Sequence, residues 1–241
     1  MKKVIILGAT SGIGLEVAKL LWAEGVEIGI AGRRKQILEE IAASMGDRVT
    51  TKVIDVTSED ADSELLHLAE MMGGVDTIFI SSGIGSQNKM LQADIEIATT
   101  QTNVVGFTRM IGAAFRYFAD RGGGHIGVIS SIAGTKGLGA APAYSATKRF
   151  QNTYVQCLAQ LSSMRKANIT FTDIRPGFVD TDLLRSGSYP MLLKPQRVAR
   201  LIVKALKRRK RVAVIDWRYR ILVTLWRLIP RFIWERLNIT N

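Results

Sequence analysis

Seven short apolar runs, separated by amphipathic stretches, constrain this chain more than any other feature of its sequence. They are VIIL (4–7), VEIGIA (26–31), VTTKVID (49–55), VDTIFISS (75–82), HIGVISS (125–131), ITFTDI (169–174) and VAVI (212–215), and each reads as a strand. The stretches between most of them have helical periodicity. Ile13, Val17, Leu20 and Leu21 share one face of IGLEVAKLLW, and KQILEEIAASM (35–45) and ELLHLAEMM follow the same rule. Ser58 is expected to cap the last of these. Such regular alternation predicts an α/β domain, doubly wound, with a parallel sheet of about seven strands and helices on both faces. At 241 residues, with no internal repeat and no linker rich in Pro, Gly or Ser, the chain is expected to form one such domain over 1–215, followed by a tail over 216–241.

Between the first strand and the first helix lies GATSGIG, with glycines at 8, 12 and 14. Glycine lets the backbone turn sharply, and the missing side chain lets a pyrophosphate approach the helix N-terminus. In this position, between a strand and a helix at the start of the chain, the motif points to a dinucleotide. Sites that prefer NAD place an acid about 20 residues further on, against the ribose 2′-hydroxyl. This chain has AGRR there, with Arg33 and Arg34 and no carboxylate. A guanidinium suits a 2′-phosphate by charge and by fork geometry, so the expected cofactor is NADP(H).

A third stretch, YSATK, puts Tyr144 and Lys148 four residues apart, hence on one helix face. A free tyrosine hydroxyl has a pKa of about 10, and a nearby ammonium favours the phenolate. The pair reads as an acid/base device.

Together with Asp55-Val56 after the third strand, Asn103, Ser131 and RPGFVDT, these motifs make the chain resemble the short-chain dehydrogenase/reductase family, from the glycine turn to about residue 215. Tyr144 follows Ser131 by 13 residues, the separation usual in that family, which selects Ser131 over Ser130. The resemblance implies a Rossmann-type fold and a carbonyl/alcohol oxidoreductase. In it Tyr144 would be the general acid, Lys148 would lower its pKa and hold the nicotinamide ribose, and Ser131 would bond to the substrate oxygen. Asn103 would hold a water linking Lys148 to solvent. Gly8, Ser11, Gly12, Ile13 and Gly14 would line the pyrophosphate, Arg33 the 2′-phosphate, and Asp55 and Val56 the adenine. Pro176, Gly177, Val179 and Thr181 would surround the nicotinamide end. The chain departs from the family at 81–85, where SSGIG replaces the usual Asn-Asn-Ala-Gly run, although Gly83 still lets a ligand approach. That departure leaves room for a second kind of function, a non-catalytic NADP(H)-binding regulatory or scaffold protein tethered by its tail. The intact Ser131, Tyr144 and Lys148 favour the enzyme.

Composition adds limits. The single cysteine, Cys157, rules out an internal disulfide and fits a reducing compartment, and the apolar run at the N-terminus ends at Gly8, too soon for a signal peptide, so a cytoplasmic protein is expected. Of the net charge of +12, residues 207–241 carry +8, from ten Lys/Arg against two acids. Within the tail, RYRILVTLWRLIPRFIWERL has too many arginines to span a membrane, and Pro230 should interrupt any helix. Two readings are open for it: a foot on an anionic membrane at the inner face, or a segment docked on the domain or on a second copy in a homo-oligomer. Nucleic acid is not expected as a partner, because no recognised binding module is present. No metal site is expected either, since His67 and His125 have no ligand-spaced companions. The segment DLLRSGSYPMLLKP, with Leu183, Leu184, Tyr189, Met191, Leu192 and Leu193, is expected to form a lid over an apolar carbonyl substrate.

Overall fold

The computed structural model describes residues 1–184 and 189–239; of the expected lid, residues 185–188 lie outside the described part. Seven strands form one sheet in the order β3-β2-β1-β4-β5-β6-β7. They are β1 (Lys3–Leu7), β2 (Glu27–Gly32), β3 (Val49–Val53), β4 (Thr77–Ile80), β5 (Gly124–Ile129), β6 (Ile169–Arg175) and β7 (Val212–Val214), and every pairing is parallel. Helices α1 (Gly12–Ala23), α2 (Lys35–Met45) and α7 (Pro195–Lys207) cover one face, and α3 (Ala61–Met71), α5 (Phe107–Ala119) and α6 (Pro142–Met164) the other.

The strand runs are apolar throughout because alternate residues serve two cores. In β1, Ile5 and Leu7 join the α3–α5–α6 side, while Val4 and Ile6 join the α1–α2–α7 side. In β4, Ile78 and Ile80 go one way and Phe79 the other. All of these are essentially inaccessible to solvent.

The segment after the third strand differs from expectation. The third strand stops at Val53, and the helix after it is headed by Asp60, whose carboxylate takes the Ser58 hydroxyl instead of Ser58 capping the helix directly. Helix α4 (Ala93–Thr100) does not simply continue into α5: a π-helical turn, Gln101–Gly106, joins them and contains Asn103. Strand order reverses at β1, between β2 and β4, so a crevice opens beyond the C-terminal ends of β1 and β4.

The tail is packed, not free. Helix α8 (Trp217–Leu228) buries Tyr219 and Val223 in the α1–α2–α7 core, stops before Pro230 as its sequence requires, and is followed by the short α9 (Arg231–Trp234). Among the described residues no helix is long and apolar enough to cross a membrane.

Candidate active site

A cleft of about 770 Å³ lies in that crevice. The cofactor and catalytic residues singled out from the sequence line it from both sides, with the exception of Asn103; of the expected lid residues, Leu183, Leu184 and Tyr189 line it and Met191, Leu192 and Leu193 do not. On the β1 side are Gly8, Ser11, Gly12, Ile13 and Gly14, with Arg33, Arg34, Asp55 and Val56 beyond them. Gly83 lies on the floor, and Ser131, Tyr144 and Lys148 face it together with Pro176, Gly177, Val179 and Thr181.

The glycine turn has local reasons that precede any ligand. Gly8 has φ +82°, and a Cβ there would come within 2.7 Å of the Ser82 backbone nitrogen. A Cβ on Gly14 would overlap the Gly8 carbonyl oxygen, so α1 can start this close to β1 only without one. Ser11, extended at the head of α1, makes no side-chain cap, so the first-turn amides are left for another acceptor. A helix N-terminus without a cap, opening into a cleft over glycines, fits an anionic pyrophosphate.

The two arginines divide their work. Arg34 donates to Thr10 Oγ1 (2.7 Å) and Ser11 Oγ (2.8 Å), clasping the end of β2 to the glycine turn. Arg33 is exposed at the cleft rim. Its charge also reaches Asp55: burial alone would raise that pKa, but bonds from Thr57 and the Arg33 guanidinium bring it below the usual carboxylate value.

The opposite wall is more tightly wired. Ser131 accepts from Ala133 N (3.0 Å), donates toward Pro176 O (3.5 Å) and stands beside Tyr144, whose phenolate it favours. Ser130 is committed elsewhere, to the buried carboxylate of Asp173, which also binds Arg175 at 2.6 Å. The Lys148 ammonium is buried, donates to Ile129 O (3.1 Å) and Gln151 Oε1 (2.9 Å), and lies 5.7 Å from the Tyr144 ring centroid. Burial lowers its pKa to about 8 against the opposing charge of Asp173. Burial likewise holds the Tyr144 phenol above its ordinary pKa, and Ser131 acts against that rise. At this separation desolvation outweighs the ammonium field that the sequence reading assigned to Lys148.

Asn103 stands behind the wall, fully buried. Its side chain accepts from Ile84 N (3.0 Å) and donates to Ile84 O (2.7 Å), bracing the backbone next to Gly83. Its carbonyl accepts from Gln151 Nε2 (2.9 Å). Gln151 therefore bridges Lys148 to the Asn103 backbone carbonyl. Sequence reasoning missed this residue, although its place three positions after Lys148, on the same helix face, was the available signal.

A reversing parallel sheet with a glycine turn on one wall of the crevice and a Ser–Tyr–Lys cluster on the other defines the chain as an α/β oxidoreductase. The family model described as short chain dehydrogenase matches residues 2–189, and the chain belongs to that family. Uncharacterised oxidoreductases resemble it along most of their length. One from Myxococcus xanthus is 29% identical, over 95% of this chain and 93% of its own. One from Staphylococcus aureus is 32% identical, over 88% and 94%. Among solved structures, the 3-ketoacyl-(acyl-carrier-protein) reductase from Brucella melitensis complexed with NADH shares the fold with a TM-score of 0.79, at 24% identity over 89% of this chain and 96% of that one. The alcohol dehydrogenase from Thermococcus sibiricus complexed with 5-hydroxy-NADP gives 0.77, at 24% identity over 89% and 95%.

Proposed function

We propose that this oxidoreductase interconverts an apolar carbonyl compound and its alcohol with NADP(H), using Tyr144 as general acid/base. The observation that carries the reading is that Ser131, Tyr144 and a buried Lys148 line one cleft together with an uncapped helix N-terminus. When bound, NADPH supplies the hydride. The Tyr144 phenol gives its proton to the carbonyl oxygen as that oxygen gains charge, and Ser131 donates to the same atom. The phenolate that remains is stabilised by the Lys148 ammonium. Lys148 would also hold the nicotinamide ribose, and Asn103 acts through Gln151 and Ile84 in holding this wall. Arg33, with no carboxylate at the end of β2, supports a 2′-phosphate and hence NADP(H) over NAD(H).

In this reading residues 1–215 form the cofactor and catalytic body and 216–241 a basic accessory tail. The tail's arginines and exposed apolar residues support contact with an anionic membrane at its cytoplasmic face. The exposed Ile97, Val105, Leu161 and Met164 on α4–α6 support a homo-oligomer. The test is a fluorescence titration of the purified protein with NADPH and, separately, NADH. Tighter binding of NADPH is expected. Binding of neither would overturn the enzymatic reading, and preference for NADH would overturn the role of Arg33.

A further inference from the structure

The path of the tail brings two of its residues, Trp226 and Ile239, to the cleft. Strand β7 runs parallel to the rest, so the chain leaves the sheet on the side of the strands' C-terminal ends, the side on which the cleft lies. Asp216 fixes the exit: buried, at φ +73°, it accepts Arg218 N (3.0 Å) at the head of α8 and Arg197 Nη2 (2.9 Å) from α7. From there the tail crosses the loops that rim the cleft. The Tyr219 hydroxyl accepts from Phe178 N and donates toward Pro190 O, both at 3.1 Å. Lys136 Nζ donates to Ile229 O (2.7 Å), and Trp234 Nε1 to Gly137 O (2.6 Å). Trp226 and Ile239 line the cleft itself. Phe178 and Pro190 on one side and Lys136 and Gly137 on the other are thus all tied to residues from the end of the chain.

The other side of the strap is covered by nothing among the described residues. Trp217, Ile221, Leu225 and Leu228 recur every three or four positions, opposite Tyr219, Val223 and Trp226, and with Phe232 they are 52% to 75% exposed. Arg220 and Arg227 flank this stripe, Arg231 opens α9 and Arg236 lies just beyond it, all exposed. Glu235, held by Arg231, is the one exposed acid of the described tail. A contiguous exposed apolar stripe marks a contact surface. Its charge selects the partner: a second copy would set arginines against arginines, whereas an anionic bilayer accepts tryptophan, leucine and arginine together.

We propose that the outer face of α8–α9 seats the protein on an anionic lipid surface, with the cleft mouth opening at the membrane, so that its carbonyl substrate is drawn from the bilayer. The substrate part rests on the reductase reading above; the surface part does not. Leu138, Phe178, Leu183 and Trp226 along the cleft suit the apolar portion of such a molecule.

The test uses the full chain and sedimented vesicles, either zwitterionic phosphatidylcholine or the same lipid with phosphatidylglycerol. The expected result is binding to the anionic vesicles, weakened by salt. Arg220→Gln with Arg227→Gln should weaken that binding about 30-fold, at about 1 kcal/mol per arginine near the surface. Leu225→Ser with Leu228→Ser should weaken it without changing NADPH binding. A wild-type protein that ignores anionic vesicles overturns the proposal, as does a dimer that dissolves in the double serine variant. Vesicle binding without faster turnover of a long-chain ketone presented in vesicles, relative to the double serine variant, overturns the delivery step alone. Failure of the reductase reading would appear separately, as absent NADPH binding.

Discussion

Replacing Gln151 with leucine should shift the pH dependence of turnover, because this side chain sets the surroundings of Lys148. The substitution keeps the volume and removes two hydrogen bonds from a fully buried position. One is the 2.9 Å acceptor for the Lys148 ammonium, the other the 2.9 Å donor to the Asn103 carbonyl. A bond to a charged group contributes about 1.5–3 kcal/mol. The first loss bears only on the charged form of Lys148, so the pKa now near 8 should fall by about one to two units, at 1.36 kcal/mol per unit. The alkaline limb of the kcat profile should then move to lower pH by the same amount, while unfolding free energy drops by about 2–4 kcal/mol. The assay is kcat against pH at saturating cofactor, paired with equilibrium urea unfolding. Gln151→Glu supplies the control of opposite sign, since a carboxylate favours the ammonium and should move the limb upward. If both variants lose stability yet keep the wild-type profile, Gln151 is merely structural and the reasoning fails.

Gly85→Ala should cut turnover with little change in cofactor binding, because a Cβ there would overlap the Tyr144 ring; steady-state kinetics beside a binding titration checks it. For stability, Lys148 has a folded pKa near 8 against 10.5 unfolded, so its penalty is full below pH 8 and is relieved as pH rises toward 10.5. The gain is up to about 3 kcal/mol; it should be absent from Lys148→Met and so appear as a pH-dependent difference between wild type and that variant in urea unfolding across the window. His125, buried against Thr172 with its pKa lowered to about 4 from 6.5, works at the acid end: its contribution should be lost as pH falls through that range, less so in His125→Asn. Tyr219→Phe should destabilise by about 1–3 kcal/mol in thermal or urea unfolding, since the half-buried Phe178 amide loses its acceptor.

The sheet was legible because each strand serves two cores and so cannot alternate with polar residues; VIIL and TIFI announce themselves in any context. The glycine turn was legible for a similar reason, since Gly8 and Gly14 answer to backbone approaches that no other residue permits. Tyr144 and Lys148 were visible as a spacing, but their electrostatics were not: burial, a tertiary quantity, dominates both. Gln151 escaped because a glutamine on a helix carries no signal until its two partners are known, one of them 48 positions away. The tail was half legible. Its arginines and Pro230 gave the limits of its helices, yet sequence treated Trp217, Trp226 and Trp234 alike. The fold separates them into an exposed residue, a cleft wall and a buried donor to Gly137, because their partners lie in loops almost a hundred residues earlier.

The central claim is that Tyr144 moves the proton in a nicotinamide-dependent reduction. The most direct test is Tyr144→Phe, assayed for NADPH binding by fluorescence and for single-turnover oxidation of bound NADPH by a ketone substrate of the wild-type protein. The account predicts unchanged binding and a rate lower by about 10²–10⁴-fold. Wild-type rates in the phenylalanine variant would contradict it.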